Sequence, residues 1–460
     1  MKENTDFTSG KIVLPLIKFA LPTLFALFLQ SMYGAVDLMI TGHFAGPADI
    51  SAVSTGSQIM MTITNIVCSM AMGITILLAE KTGQKKPQEG GAIVGTGIML
   101  FAITGVVMTL VCIFLAPQMA RTMNAPEEAF SKTVSYISIC GAGSLVIVAY
   151  NLIGSIFRGI GDSKTPLVTV AIACVFNILG DLLLIRVFGL GAKGAALATV
   201  FAQLISVLIS FLLIRRKDLP FTFSRASLRW NGSYAKRILL LGVPIALQDM
   251  LVGISFLIIL SIVNSLGLIY SAAIGVAEKV CAFIMLIPVA FMHSMSAFTA
   301  QNRGAGKIDR AVKGFWSAVG ISSVSGFIMF LLAFFKGSTL ASVFSTDAQV
   351  TSEAAMYLKA YGIDCLLTCF LFCFIGFFNG MGKTRFVMIQ GVTAAFLVRV
   401  PVSYFMSKEV PVSLFHIGLA IPLSTVLGIA LCMIYYAFTM RSLKKEDQLK
   451  QADTTSSIIR

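Results

Sequence analysis

A few oxygen-bearing side chains interrupt otherwise apolar stretches of this sequence. Asp37 lies in LFLQSMYGAVDLMITGHF, and Asp181 closes the segment NILGD, which begins at Asn177. Thr199 lies in a third apolar stretch, GAKGAALATVFAQ. Residues four apart share one face of a helix, so Asn177 and Asp181 can point toward the same place. Carboxylate, amide and hydroxyl oxygens are ligands for hard cations, and these four residues are therefore candidate ion-binding groups.

Two kinds of ion chemistry suit this set, and the residues alone leave both open. Sodium could be held by the oxygens of Asp37, Asn177, Asp181 and Thr199. Alternatively, two close carboxylates in an apolar environment repel each other, and a proton bound to one of them relieves the repulsion. A third interpretation is structural, with each aspartate only bonding a neighbouring helix. No other cofactor is expected.

The second half of the chain offers further polar candidates for an ion or substrate site. They are Gln248, Asp249, Glu278, Asp364 and Arg399. Ionisable groups inside apolar segments are costly, so each is a functional hypothesis. Arg399 could neutralise Asp249 or Asp364, whereas a structural role is the favoured interpretation of Glu278.

The composition indicates which elements must hold these groups. Of the 460 residues, 57% are hydrophobic and 12% are charged, with a mean hydropathy of +0.88. An average soluble domain has about twice that charge, so a soluble globular protein is excluded. Apolar runs of about 20 residues indicate membrane-spanning helices. The sequence predicts an all-α protein with twelve spans, over 13–40, 50–79, 91–116, 133–157, 165–188, 194–214, 238–263, 271–299, 314–335, 354–378, 386–406 and 417–440.

The distribution of basic residues predicts the orientation of these spans. The formal net charge is +14. When the connections are assigned alternately to two sides, one side carries 25 Lys and Arg and the other carries 6. By the positive-inside rule, both termini are cytoplasmic in a multi-pass protein of the inner cell membrane. The basic excess is therefore interpreted as a topology signal that contacts anionic headgroups, and nucleic-acid binding is not expected.

An internal repeat divides the spans into two sets of six. FRGIGDSKT at 157–165 corresponds to FFNGMGKT at 377–384, and Pro22 corresponds to Pro244. Two parallel repeats predict two pseudo-symmetric lobes around a central cleft. The predicted segments are a cytoplasmic N-terminus (1–12), an N-lobe (13–214), a cytoplasmic inter-lobe loop (215–237), a C-lobe (238–440) and a cytoplasmic C-terminal tail (441–460).

Two sequence features are assigned structural roles. Proline bends a helix, so Pro22 and Pro244 are candidate hinge or kink positions. Cys365, Cys369 and Cys373 are spaced by four and would line one helix face. No histidine or further cysteine joins them, so packing is favoured over a metal site.

These features together resemble the multidrug and toxic compound extrusion family. The resemblance covers residues 10–440 and rests on the two six-span halves, the early prolines and the R-G-x-G-D-x-x-x-P turn that begins at Arg158. Asp37, N-x-x-x-D at 177–181 and Thr199 resemble the prokaryotic branch that handles its coupling ion in the N-lobe. The resemblance implies that Asp37 and Asp181 bind H⁺ or Na⁺, with Asn177 and Thr199 as supporting ligands. It also implies export of organic, often cationic, compounds.

The predicted function is therefore a secondary active antiporter that exports amphiphilic, cationic compounds in exchange for H⁺ or Na⁺ by alternating access. It is expected to be a monomer in the lipid bilayer and not an enzyme. The alternative is a flippase for lipid-linked oligosaccharides or other lipids on a related two-lobe fold, but few basic residues lie inside the spans. A membrane transferase would need clustered acidic metal motifs, and a channel would need a ring of charges.

Overall fold

The computed structural model describes residues 6–216 and 219–458, and every regular element within these ranges is a helix. The remaining residues of the predicted N-terminus, inter-lobe loop and C-terminal tail lie outside the described residues. The longer helices are α1 (Val13–Phe44), α2 (Pro47–Gly83), α3 (Pro87–Phe114), α5 (Glu127–Ala142), α6 (Ser144–Gly159), α7 (Lys164–Asp181), α8 (Gly191–Arg216), α9 (Gly232–Asn264), α10 (Leu268–Ile284), α11 (Leu286–Gly304), α12 (Ile308–Phe335), α14 (Ala348–Gly380), α15 (Thr384–Ala394) and α18 (Ala420–Ile458).

Shorter helical segments connect or extend these helices. They are α4 (Ala116–Thr122), α13 (Gly337–Ser342), α16 (Val400–Met406), α17 (Leu414–Gly418), a 3₁₀ turn (Arg225–Ser227) and two π-helical stretches (Leu182–Val187 and Ala395–Arg399). The π-helical stretches lie in the fifth span of each half. Such stretches break the regular hydrogen-bond ladder and occur frequently at functional sites.

The helices confirm the predicted membrane class. Eleven helical segments in the described part of the chain are long and apolar enough to cross a membrane, and a twelfth span is formed by the bent pair α5 and α6. These two helices meet at 55°. The predicted span 133–157 is therefore a broken helix, with Gly143 between its two parts.

The chain packs into two compact units. The first comprises residues up to 251 together with 285–321 and 375–388. The second comprises 252–284, 322–374 and the residues from 389 onward. The core of the first unit is built by apolar side chains of α2, α3, α5, α6 and α8. In the second unit, Cys365, Cys369 and Cys373 are buried along one face of α14, and none of the described residues form a cluster of metal-binding His, Cys, Asp or Glu.

The repeated sequence motifs form the same turn. Gly161 and Gly382 have φ angles of 84° and 74°, which favour glycine over residues with a side chain. The Asp162 N–H donates to the Phe157 carbonyl, and the Lys383 N–H donates to the Phe378 carbonyl. These bonds close a Schellman motif at the ends of α6 and α14. The segment GIGDSKT thus forms a helix C-cap.

Helices α2 and α11 cross at their C-terminal ends, both within the first unit. A Cβ on Gly83 would collide with the Gln301 backbone carbonyl, and a Cβ on Gly304 would collide with the Glu80 backbone carbonyl. Gly83 and Gly304 correspond in the repeat, so the crossing is itself pseudo-symmetric. The Glu80 carboxylate accepts hydrogen bonds from Arg237 at 3.2 Å and Arg303 at 3.3 Å. The crossing is therefore held by close backbone contact and by the Glu80–Arg303 ion pair, while the Glu80–Arg237 pair joins α2 to α9.

Candidate functional site

The predicted ion-binding residues of the first half lie together between α1, α7 and α8. The buried face of α7 repeats every four residues through Thr169, Ala173, Asn177 and Asp181. This spacing directs both polar side chains toward α1, where Asp37 is also buried. The Asp37 carboxylate faces Asn177, Asp181 and Thr199. The structure thus places all four side chains in one pocket, which we call the N-terminal acidic pocket.

The N-terminal acidic pocket contains more polar atoms than its hydrogen bonds use. Asp37 Oδ1, both oxygens of Asp181, and both polar atoms of the Asn177 amide have no hydrogen-bond partner among the described residues. Asp181 and Asn177 therefore face Asp37 without reaching good hydrogen-bond geometry. Buried polar groups are normally paired because leaving one unpaired costs about 1–3 kcal/mol. Five unpaired polar atoms in one place make this pocket the candidate binding site for an ion, a proton or a water molecule.

The Thr199 hydroxyl lies close to two hydrogen-bond acceptors but can donate to only one of them. Its oxygen lies 3.3 Å from Asp37 Oδ2 and 3.0 Å from the Ala195 carbonyl oxygen. A hydroxyl has one proton and can donate to only one of these acceptors at a time. When it donates to Ala195, its lone pairs face the Asp37 carboxylate. A proton on Asp37 or a cation between the two oxygens would turn that contact into an attractive one.

Two tyrosines complete the surroundings of the pocket, and the sequence interpretation missed both. Tyr33 precedes Asp37 by one helical turn, and its buried hydroxyl has no partner among the described residues. Tyr136 lies in α5 and is within electrostatic range of Asp37 and Asp181. The four-residue spacing to Asp37 was a usable signal for Tyr33. No local pattern marked Tyr136, because its approach to the pocket depends on helix packing.

The candidates of the seventh span lie elsewhere in the first unit. Asp249 Oδ2 accepts a hydrogen bond from the Ser69 hydroxyl at 2.5 Å, and Gln248 beside it is buried. Pro22 and Pro244 lie inside continuous helices. Since Pro244 has no N–H, the Leu240 carbonyl lacks its helical partner. That carbonyl accepts a hydrogen bond from Thr384 at 3.4 Å, which fits a local bend. The hinge role stays a prediction.

The remaining candidates lie in the second unit. Asp364 is buried and accepts a hydrogen bond from Thr368 at 2.5 Å. Arg399 interacts electrostatically with Asp364 but donates its hydrogen bonds to Ser255 and Ser424, at 3.1 and 3.2 Å.

The guanidinium of Arg399 also lies over the Phe256 ring, 4.4 Å from its centroid. Glu278, which is half-buried, is within electrostatic range of Tyr357, as are Asp364 and Arg399. The second unit therefore groups two acids with a fixed cation.

Comparison with known proteins assigns the family. The MatE family model matches residues 22–183 and again residues 244–405. Each match runs from within the first predicted span of one half to within its fifth. The chain belongs to the MatE family. The two matches are offset by the same 222 residues at both ends, which agrees with the repeat found in the sequence. The protein is accordingly a membrane transporter and not an enzyme.

Individual relatives and structures agree with this assignment. The chain is 25% identical over 430 residues to the probable multidrug resistance protein YoeA of Bacillus subtilis, covering 92% of this chain and 93% of YoeA. It is 26% identical over 434 residues to the probable multidrug resistance protein YpnP of the same organism, covering 94% and 96%. A MatE-fold neighbour, an outward-facing multidrug resistance MATE transporter of the MOP superfamily, superposes with a TM-score of 0.90 at 18% identity, covering 97% and 99%.

Proposed function

We propose that this MatE protein is an ion-driven antiporter that exports amphiphilic, cationic organic compounds from the cytoplasm. The observation that carries the proposal is the set of five unpaired polar atoms in the N-terminal acidic pocket. A small cation, either H⁺ or Na⁺, would bind to the oxygen atoms of this set and reduce the repulsion between Asp37 and Asp181. The names of the multidrug relatives support an organic cargo of varied structure.

Coupling requires the ion to bind one conformation better than another. The N-terminal acidic pocket is built from three helices, so any relative movement of α1 against α7 and α8 changes the distances between its oxygens. Ion binding favours the arrangement in which all the oxygens converge. Ion and cargo are exchanged if each stabilises a different arrangement of the same helices. Binding of one then favours release of the other. We further propose cytoplasmic termini, from the distribution of basic residues, and a monomeric unit.

The proposal is tested by transport in reconstituted vesicles. Purified protein is exposed to separately imposed proton and sodium gradients, and movement of a fluorescent organic cation is followed. We expect one gradient to drive transport by the wild-type protein. Asp37→Asn and Asp181→Asn should each reduce gradient-driven transport to the background of empty vesicles, because each removes one of the two ionisable carboxylates.

Asp309→Asn is the matched control, because Asp309 is an exposed carboxylate in the first turn of α12. It should transport at the wild-type rate. Full gradient-driven transport by both pocket variants would refute the coupling role of Asp37 and Asp181. Transport that needs neither gradient would refute antiport.

A further inference from the structure

Helix α2 makes polar contacts with three other helices of the first unit within two of its turns. These contacts join Cys68 Sγ to Asn151 Oδ1 of α6 at 2.8 Å, Ser69 Oγ to Asp249 Oδ2 of α9 at 2.5 Å, and Met72 Sδ to His293 Nδ1 of α11 at 3.1 Å. Several polar contacts within one short segment of a membrane-spanning helix are unusual, because each polar group inside the membrane needs a hydrogen-bond partner other than water. We use the word level for this segment of α2, residues 68–72, and its contacts. This level therefore brings together side chains that are far apart in the sequence.

Arg158 adds a positive charge to this level. It lies on the α6 face that also carries Ser155 and Asn151, which are one and two turns away. Its Nη2 donates to the Ser155 hydroxyl at 2.8 Å, and its Nε has no partner among the described residues. Arg158 is half-buried and within electrostatic range of Cys68 and His293. The guanidinium is thus held in place by a neutral group and retains unused donors.

Asp249 adds a negative charge. Its side chain is exposed, yet it lies on the face of α9 that packs against the rest of the first unit. The outward face of α9 carries the exposed apolar residues Val243, Leu247 and Met250. Asp249 instead follows the buried residues Ile245 and Ala246 by one turn, so it shares their face. Its side chain is nevertheless exposed. An exposed carboxylate on an inward-facing helix surface indicates an open space inside the first unit.

The two opposite charges do not contact each other, and the Cys68 thiol lies near both. Cys68 is within electrostatic range of both Arg158 and Asp249. Each charge is held by a serine hydroxyl, Arg158 by Ser155 and Asp249 by Ser69, rather than by the other charge. A structural ion pair would bring the two charges into contact. The open arrangement leaves the guanidinium donors and carboxylate acceptors available to a ligand.

We infer that this chamber, defined by Cys68, Arg158, Asp249 and His293, binds zwitterionic amphiphiles. Arg158 binds the anionic group, preferably a carboxylate, and Asp249 binds the cationic group. This inference rests on the proposed function and names its cargo more narrowly: compounds with both charges bind more tightly than their singly charged cationic analogues. Asp249 alone would not distinguish the two classes, so the selectivity resides in Arg158.

The test compares two dyes that differ by one charged group. Rhodamine B is a zwitterion at neutral pH, and rhodamine B ethyl ester is the matching cation. Binding to the purified, detergent-solubilised protein is measured by fluorescence anisotropy, which needs no ion gradient. We expect wild-type protein to bind rhodamine B at least about tenfold more tightly than the ester, since a charge-assisted bidentate contact is worth that factor.

Substitutions separate the two charges. Arg158→Gln should weaken rhodamine B binding about tenfold and leave ester binding within about twofold, whereas Arg158→Lys should retain part of the preference. Asp249→Asn should weaken both dyes. Lys336→Gln, which removes an exposed charge elsewhere, should change neither. Equal losses for both dyes in Arg158→Gln, or no preference in the wild-type protein, would overturn the inference.

Cys68 provides an independent readout of occupancy. It is the only one of the nine cysteines that is not buried. Its labelling by a small maleimide should be slowed by rhodamine B in the wild-type protein and in Asp37→Asn. That protection should be lost in Arg158→Gln. Labelling that rhodamine B does not slow would place the dye outside the chamber and overturn the inference.

The same measurements distinguish failure of this inference from failure of the proposed function. Dye preference in detergent with no gradient-driven transport would contradict antiport and leave the chamber assignment intact. Gradient-driven transport of the ester with no preference for rhodamine B would contradict the chamber assignment and leave antiport intact.

Discussion

At the scale of single residues, the two halves use similar positions for opposite charges. In the fifth span of the first half, Asp181 directly precedes the π-helical stretch Leu182–Val187. In the fifth span of the second half, Arg399 ends the stretch Ala395–Arg399. Asp181 lies among unpaired oxygens, while Arg399 donates to two serines and lies over an aromatic ring. The first half therefore has unpaired oxygens that suit an exchangeable cation, and the second half already holds a fixed one.

Thr199 offers a residue-scale test of how the acidic pocket holds its ion. Thr199→Val removes the hydroxyl near Asp37 while keeping a side chain of similar shape. We expect the apparent affinity for the driving ion to fall about tenfold, corresponding to roughly 1.4 kcal/mol for one lost ligand or hydrogen bond. Initial transport rates as a function of ion concentration measure this change.

Thr199→Ser is the matched control for that prediction, because it keeps the hydroxyl that lies 3.3 Å from Asp37. Its apparent ion affinity should stay within about twofold of wild type. An unchanged affinity in Thr199→Val would show that the hydroxyl only bonds the Ala195 carbonyl within its own helix.

At the scale of helices, the crossing of α2 and α11 depends on two glycines. Gly83→Ala and Gly304→Ala each introduce a Cβ that collides with a backbone carbonyl, which cannot move aside as a side chain can. We expect each to destabilise the crossing by about 1–3 kcal/mol, as overpacking does elsewhere. The melting temperature of the purified protein should fall by several degrees in both variants.

Gly320→Ala is the matched control for the crossing. Gly320 lies within α12, and a Cβ there would meet no atom within 4 Å. Alanine has a higher helix propensity than glycine, so its melting temperature should be unchanged or slightly raised. Equal melting temperatures for all three variants would show that the α2–α11 contact is not tight in the folded protein.

At the scale of the whole molecule, the orientation in the membrane can be tested separately from transport. The distribution of basic residues predicts that the 303–313 connection faces the cytoplasm and that the connection containing Lys132 faces outward. In a background with Cys68→Ala, which leaves eight buried cysteines, cysteines introduced in place of Lys307 and Lys132 should differ in their reaction with an impermeant maleimide added to intact cells.

We expect Lys132→Cys to be labelled in intact cells and Lys307→Cys only after the cells are opened. Lys307 is exposed and Lys132 is half-buried with its amine paired to Asp49 at 2.6 Å. Labelling of both positions with detergent serves as the control for reactivity. The reverse pattern would invert the predicted topology and with it the proposed direction of export.

Local sequence patterns predicted some of the residue pairings in the candidate site and did not predict the others. The pairing of Asn177 with Asp181 follows from helical spacing, and the structure has them on one buried face. The contact between Ser69 and Asp249 joins residues 180 positions apart, and no periodic pattern connects them. The Glu80 ion pairs with Arg237 and Arg303 were missed for the same reason.

The sequence by itself determined the solvent, the helical class, the number of spans and the duplication. These properties follow from long apolar runs that must satisfy their backbone hydrogen bonds within helices, and from repeated turn motifs. Only the tertiary structure decided which isolated polar residues approach one another: Asp37 with residues of α7 and α8, and Cys68 with Arg158 and Asp249. Helix packing sets those encounters through side-chain shape over the whole interface, which no short stretch of sequence contains.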